Sequence, residues 1–376
     1  MTVDDVRRLG EALGLDAVGV ARAEAYVETE RHILDRRERG LFAGMKFTMA
    51  RPEQSCHPET LLDGARSVVS AALCYWRPEK PLEPAQGRLA RYTWEDEYAE
   101  LREKLAELGR RLGGDYRLFV DANQHVDREA AARSGVGFYG KNTMLITRRH
   151  GSWVVLGTLV TDVELAPTEP LGADCGACTL CLDACPTGAL AEPGTLDATR
   201  CLSYWTQAPQ AIPEEYRAAL GAQVYGCDIC QDVCPWNRGV QRRRGSLPEH
   251  AAHVDLVAWL EEDGRATVEQ YDRLFVPRNE PRYLRRNAAV ALGNTRDPRA
   301  IVPLARAVAA HTSALVRGHA AWALGEIGEP ARALAESTLS CAAAHDPDSF
   351  VRAEASLALT RMGVAQPNLA EPEKRP

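Results

Sequence analysis

The chain has no run of about 18 apolar residues, so nothing in it is long and apolar enough to span a bilayer as a helix. Its opening, MTVDDVRRLGEALGL, carries the pair Arg7–Arg8 with no apolar stretch behind it. That is neither a general secretory nor a twin-arginine signal, and a cytoplasmic location without membrane association is expected. An excess of positive charge is missing as well: 45 Lys and Arg stand against 52 Asp and Glu, a net −7. Such a balance argues against indiscriminate nucleic-acid binding by the chain as a whole. Cysteine is sparse over most of the length, yet eight of the eleven lie between 175 and 234. In a reducing compartment that crowding points to metal rather than disulfides.

What is present is an ordinary globular balance, 45% hydrophobic and 26% charged over 376 residues, enough for two or three cores. Residues 1–165 mix helix and strand signals and read as an α/β domain. VDDVRRLGEALGL predicts an amphipathic helix with Val3, Val6, Leu9 and Leu13 on one face, and Ser67 to Cys74 predicts a buried strand. DYRLFVD predicts a short strand ending at Asp121. DREAAARSGVG predicts a helix closed by Gly135 and Gly137, and GSWVVLGTLVTD a β-rich run interrupted by a glycine. The prolines of ELAPTEPLGADCG lead into a cysteine-rich segment, 166–245. From 246 to 364 the chain is alanine-rich and repeats: RRNAAVALGNTRDPRAIVPL, VRGHAAWALGEIGEPARAL and VRAEASLALTRMG share one pattern. Gly293 to Gly325 is 32 residues and Leu324 to Leu359 is 35, the period of stacked helical pairs of the HEAT type. The polar, proline-rich 365–376 is expected to be a disordered tail.

The cysteines carry the strongest chemical signal. Cys175, Cys178, Cys181 and Cys185, the last followed by Pro186, form the CxxCxxCxxxCP run of two-cluster ferredoxins. Cys227, Cys230 and Cys234-Pro235 repeat its last three positions, with Val224 in the place of the first. Two cubanes need eight thiolates and the runs supply seven; Cys201 is the other cysteine nearby. Crossed ligation then assigns one 4Fe-4S cluster to Cys175, Cys178, Cys181 and Cys234, and the other to Cys185, Cys201, Cys227 and Cys230. A structural zinc site would need neither the trailing Cys-Pro nor a remote eighth cysteine. Cys56, Cys74 and Cys341 read as small buried hydrophobes.

GCDICQDVCPWN at 226–237, CLSYWT at 201–206 and GFYGKNTMLI at 137–146 together resemble the epoxyqueuosine reductase family, cobalamin-dependent iron–sulfur enzymes of tRNA modification. The resemblance covers nearly the whole chain in the family's order: catalytic domain, two-cluster insert, HEAT-like C-terminus. It implies that epoxyqueuosine in the wobble position of tRNA is reduced to queuosine, two electrons and two protons in and one water out. It also implies a cobalamin in the N-terminal domain, reduced through the clusters to cob(I)alamin, a nucleophile strong enough to open an epoxide. In the family an aspartate of a VDxxPxxER segment donates the proton. Here the segment is VDANQHVDR at 120–128, so Asp121 is the matching position, with Gln124 in place of proline and Asp127 in place of glutamate. Burial beside the corrin should raise the pKa of Asp121; its alternative role, shared with Asn123, is to cap the following helix. Gly140, Lys141, Asn142 and Thr143 are the expected cofactor contacts. The DxHxxG pattern that supplies a histidine to cobalt is absent and His125 does not fit it, so a base-off cobalamin is expected.

Between 276 and 330 eight arginines face four acids, and Arg282, Arg285, Arg286 and Arg317 are the candidate tRNA contacts, with Arg238 and Arg242 to Arg244 adding a basic run. A flavodoxin or ferredoxin is the expected reductant, and the chain is expected to act as a monomer. Three other functions are compatible with two clusters. A reductive dehalogenase-like corrinoid enzyme would usually carry a twin-arginine signal and no helical repeat. A non-enzymatic electron-transfer module would bind no B12, and an iron–sulfur scaffold would not keep its clusters through gel filtration.

Overall fold

The structure, a computed structural model, describes residues 2–250, 252–262 and 264–364, so the expected tail at 365–376 lies outside the described residues. Nine strands occur among them: β1 (Ala17–Arg22), β2 (Ser67–Cys74), β3 (Gln86–Leu89), β4 (Tyr116–Val120), β5 (Phe138–Tyr139), β6 (Leu145–Ile146), β7 (Val154–Thr161), β8 (Gln223–Tyr225) and β9 (His253–Asp255). The chain divides into two units that do not follow its linear order. One holds Met1–Lys80, Arg91–Cys201 and Asp228–His250; the other holds Pro81–Ala90, Leu202–Cys227 and the described part of 251–376. Among the described residues no helix is long and apolar enough to cross a membrane.

The first unit is built on a four-stranded sheet in the order β1-β2-β7-β4. Every neighbouring pair is antiparallel, which corrects the α/β expectation: helix and strand are mixed, but in the α+β manner. All eight residues of β2 and all eight of β7 are buried, because helices cover the central strands. The helix Glu97–Leu112 lays Leu101, Leu105 and Leu108 into that core. Gly157 does not interrupt β7; a Cβ there would meet Leu105 and Val120 at 2.6 and 2.8 Å, so the glycine lets the helix close on the sheet. Replacing Leu105 by Ala would cost roughly 2–5 kcal/mol. The N-terminal helix Val3–Ala12 opens on a capping box, Thr2 with Asp5, and buries Val6, with Leu9 and Leu13 partly buried against the core.

The second unit carries the three-stranded sheet β8-β3-β9 and the repeat. Its five repeat helices are Arg282–Thr295, Ile301–Ala310, Ala314–Ile327, Glu329–His345 and Ser349–Arg361. The repeated Leu-Gly has a packing cause. A Cβ on Gly293 would stand 2.7 Å from Ala323 Cα, and one on Gly325 would stand 2.8 Å from Ala358 Cα, each in the next repeat. At the third position Thr360 is exposed and has no following repeat helix to approach among the described residues.

Candidate functional site

Four thiols of the first unit share one cavity. Cys175, Cys178, Cys181 and Cys234 line a space of about 90 Å³ together with Lys141, Asn142, Ile146, Pro235 and Trp236. Short loops place them: Gly176 takes a positive φ of 50°, and the helices Leu180–Asp183 and Ile229–Asp232 are each a single turn. Phe138 meets Trp236 edge-on at 5.1 Å and closes the apolar side. Among the described residues no group of three or more His, Cys, Asp or Glu is arranged to hold a single metal ion. Thiols around a cavity are the donor set a cubane takes. Burial raises the pKa of Cys181 and Cys234 as free thiols. At Cys185 burial also acts upward, but hydrogen bonds from Thr187, Leu190 and Ala189 prevail and hold the thiol below its ordinary value. The amide of Ala189 lies 3.3 Å from that sulfur.

The GKNT turn borders this cavity, and its side chains are used otherwise than expected. Lys141 Nζ donates to the carbonyls of Gly176 at 2.7 Å and Cys178 at 3.0 Å. Asn142, buried, donates Nδ2 to the carbonyl of Cys230 at 3.4 Å, while its Oδ1 accepts from Met144 N. The polar ends of both side chains therefore hold the cysteine loops. Thr143 sits at φ 66°, and its carbonyl accepts from Arg128 Nη1 at 3.4 Å. That contact ties the turn to the start of the helix Asp127–Arg133.

Asp121 ends β4 with an exposed side chain and a left-handed φ of 50°, a conformation costing a non-glycine residue roughly 1–3 kcal/mol and concentrated at functional sites. Neither Asp121 nor Asn123 caps the helix: the cap position is Val126, without a side-chain bond. Asp127 is half-buried, and desolvation raises its pKa, with the charge of Asp121 adding to the rise. Between them His125 is fully buried, with Nδ1 at 2.7 Å from Thr158 Oγ1 and Nε2 at 3.1 Å from Tyr26 OH. Burial pulls its pKa down to about 4, so it is neutral at physiological pH and pins the loop from inside. Tyr139, 43% exposed, adds an aromatic face beside Gly140.

Of the four candidate tRNA arginines, one is corrected by burial. Arg286 is fully buried, donating to the carbonyls of Ala208 and Gln210 at 2.6 Å, Trp205 at 2.9 Å and Thr206 at 3.3 Å. Burial lowers its pKa to about 9, so it stays charged at neutral pH. Arg317 is held by Asp346 at 2.7 and 2.8 Å and by the carbonyls of His311 and Thr312. Arg285 reaches the Glu262 carbonyl and His311. Arg282 keeps 40% of its side chain exposed, beside Tyr283, and Arg242 and Arg243 are exposed. Cys56 and Cys74 are buried as expected, whereas Cys341 is exposed on the outer face of its helix.

Sequence reasoning missed the network behind the second cysteine run. Arg91 binds Glu79 at 2.9 Å and Asp232 at 3.0 Å, and lies over the Trp153 ring. Gln231 accepts from Tyr75 OH and from Ser152, and Asn237 donates to Ser152 and to the Gln231 carbonyl. Gln231 and Asn237 stand within the CDICQDVCPWN motif, but nothing in the motif names Ser152 or Tyr75 as their partners.

Known proteins share these features. A family model for a 4Fe-4S double cluster binding domain matches residues 174–237, the stretch holding all eight clustered cysteines. A HEAT repeat model matches 276–360, and the model described as epoxyqueuosine reductase QueG, DUF1730 matches 56–127, which includes Asp121 and Asp127. The epoxyqueuosine reductase of Bacillus anthracis is 34% identical over 342 residues, covering 86% of this chain and 88% of that relative. That of Bacillus subtilis is 33% identical over 345 residues, covering 88% and 89%. A crystal structure of epoxyqueuosine reductase with an epoxyqueuosine-modified tRNA-Tyr stem loop matches with a TM-score of 0.85 at 32% identity, over 96% of this chain and 98% of that one. A Bacillus subtilis structure, described with its aspartate catalytic loop swung out of the active site, matches with the same TM-score of 0.85 at 31% identity and the same coverage, 96% and 98%.

Proposed function

The chain belongs to the epoxyqueuosine reductase family, and we propose that it reduces epoxyqueuosine to queuosine in the wobble position of tRNA with electrons from two 4Fe-4S clusters. The observation that carries this reading is the GKNT turn. One side of it borders a cavity lined by four thiols, and its Thr143 carbonyl is bonded to Arg128 of the segment that begins at Asp121. The thiol cavity and the segment that carries Asp121 thus border the same turn.

The donor set fits the iron–sulfur centres, with Cys175, Cys178, Cys181 and Cys234 as the ligands of the first. The second set, Cys185, Cys201, Cys227 and Cys230, rests on ligand count. The left-handed Asp121 and Thr143, with exposed Tyr139 beside Gly140, offer carbonyls, amides and a flat ring, which suits the amide-fringed edge of a base-off cobalamin. Cobalamin held there would supply the nucleophile for opening the epoxide. Exposed at the end of its strand, Asp121 would donate a proton to the oxygen released. Asp127, six residues on, feels the charge of Asp121. His125 and Arg128 anchor the C-terminal part of this segment, to Thr158 and to the Thr143 carbonyl.

We assign catalysis to 1–165, the clusters to 166–245 and tRNA contact to 246–364, where Arg282 is the exposed phosphate contact; Arg242 and Arg243, exposed at the end of the cluster segment, are further candidates. A relative captured with a modified tRNA stem loop supports that partner. A flavodoxin or ferredoxin would deliver the electrons. The test is incubation of anaerobically reconstituted, cobalamin-loaded protein with an epoxyqueuosine-bearing stem loop and a strong reductant, followed by nucleoside analysis. Queuosine is expected; unchanged epoxyqueuosine with iron and cobalamin both bound would overturn the reading.

A further inference from the structure

Lys141 is not needed for the reaction as derived above, yet it lies half-buried at the thiol cavity with both of its bonds directed to the first cysteine loop. The carbonyls it binds belong to Gly176 and Cys178, so the loop carrying Cys175, Cys178 and Cys181 bends around a fixed ammonium. A cubane ligated by four thiolates gains one negative charge on reduction. A cation held nearby in partly desolvated surroundings lowers the free energy of the reduced form more than that of the oxidised form. The neutral groups lining the cavity, Asn142, Ile146, Pro235 and Trp236, cannot do this, and Lys141 is the one cation among the lining residues.

We propose that Lys141 is a positioning residue of the first iron–sulfur centre whose charge raises that cluster's reduction potential relative to the second. The inference rests on the cluster reading above and adds to it a division of labour: the two clusters differ in driving force because one cysteine loop is wrapped on an ammonium. Outer partners of this kind tune metal centres without ligating them.

The experiment is an EPR-monitored redox titration of anaerobically reconstituted full-length protein, with iron counted, for wild type, Lys141→Gln and Lys141→Arg. In Lys141→Gln one cluster should become harder to reduce by about tenfold in its equilibrium, ~59 mV for a one-electron couple, while the other is unmoved. Lys141→Arg should restore most of the difference. Unchanged potentials in Lys141→Gln with full iron overturn the proposal. So do equal shifts in the two variants, or loss of the cluster in both, since shape rather than charge would then be what the lysine supplies. Wild-type protein that holds no iron would instead sink the cluster reading itself.

Discussion

Lys141 in one unit and Arg286 in the other make the same kind of contact, a cationic side chain donating to main-chain carbonyls, but to different ends. Lys141 grips two carbonyls of a loop that carries thiols around a cavity. Arg286 grips four carbonyls between 205 and 210 in a site with no exposure at all, and the neighbouring Asn287 adds bonds to Thr206 and Val224. One cation borders the thiol cavity. The other is shut inside the fold of the repeat unit. Basic residues therefore cannot be summed into a binding surface before their burial and partners are known: of four arginines that read as phosphate contacts, Arg286 belongs to the interior and Arg317 is engaged by Asp346.

The comparison can be broken from either side. The largest effect is expected at Asp121: Asp121→Ala should retain iron and cobalamin but lower single-turnover reduction by about 10²–10⁴-fold, the usual contribution of a proton donor; turnover at the wild-type rate would remove it from the mechanism. Next is Arg286→Met, which leaves buried carbonyls unpaired and should destabilise the protein by about 3–5 kcal/mol, read as a lower midpoint in urea unfolding. If stability were unchanged and only tRNA affinity fell, the interior role assigned to Arg286 would be wrong. Cys201→Ser comes third: iron should fall to half the wild-type content, and full content would mean that the eighth ligand lies elsewhere.

Arg317 differs from Arg286 in gripping a carboxylate, so pH separates them. Hydrogen bonds from Arg317, first among the causes, hold the pKa of Asp346 below its ordinary value. The stability this pair adds is present above the unfolded carboxylate pKa of about 3.9 and is lost as pH falls through the lower folded value. Unfolding scans from pH 5 downward should show a loss in wild type that Asp346→Asn lacks, whereas the contacts of Arg286 to neutral carbonyls add none. The smallest effect is expected of Arg282→Ala, a weaker stem-loop affinity with a salt slope reduced by about one; an unchanged slope would take Arg282 off the interface.

Local features were legible before the structure. β2 spans the stretch read as a strand, Gly135 turns the chain after the helix Asp127–Arg133, and the 32- and 35-residue spacings mark the repeat. The antiparallel order β1-β2-β7-β4 was not, because β7 pairs with β2 about 90 residues away and no local pattern encodes that choice. The cysteine run identified the thiols of the cavity, since spacing and chemistry coincide there. The work of Lys141 stayed hidden because its partners are carbonyls 35 and 37 residues on, and carbonyls leave no trace in the alphabet of side chains.

The chain passes back and forth between its units, giving 81–90 and 202–227 to the second and taking 228–250 back into the first. Excising the cysteine-rich segment as a cassette would strip 205–210 and Val224 of the repeat side chains that satisfy them. Grafting the repeat onto another enzyme would carry off Arg286 with nothing to hold. The two parts are woven, not strung, and should be inherited, truncated or transplanted only as a pair.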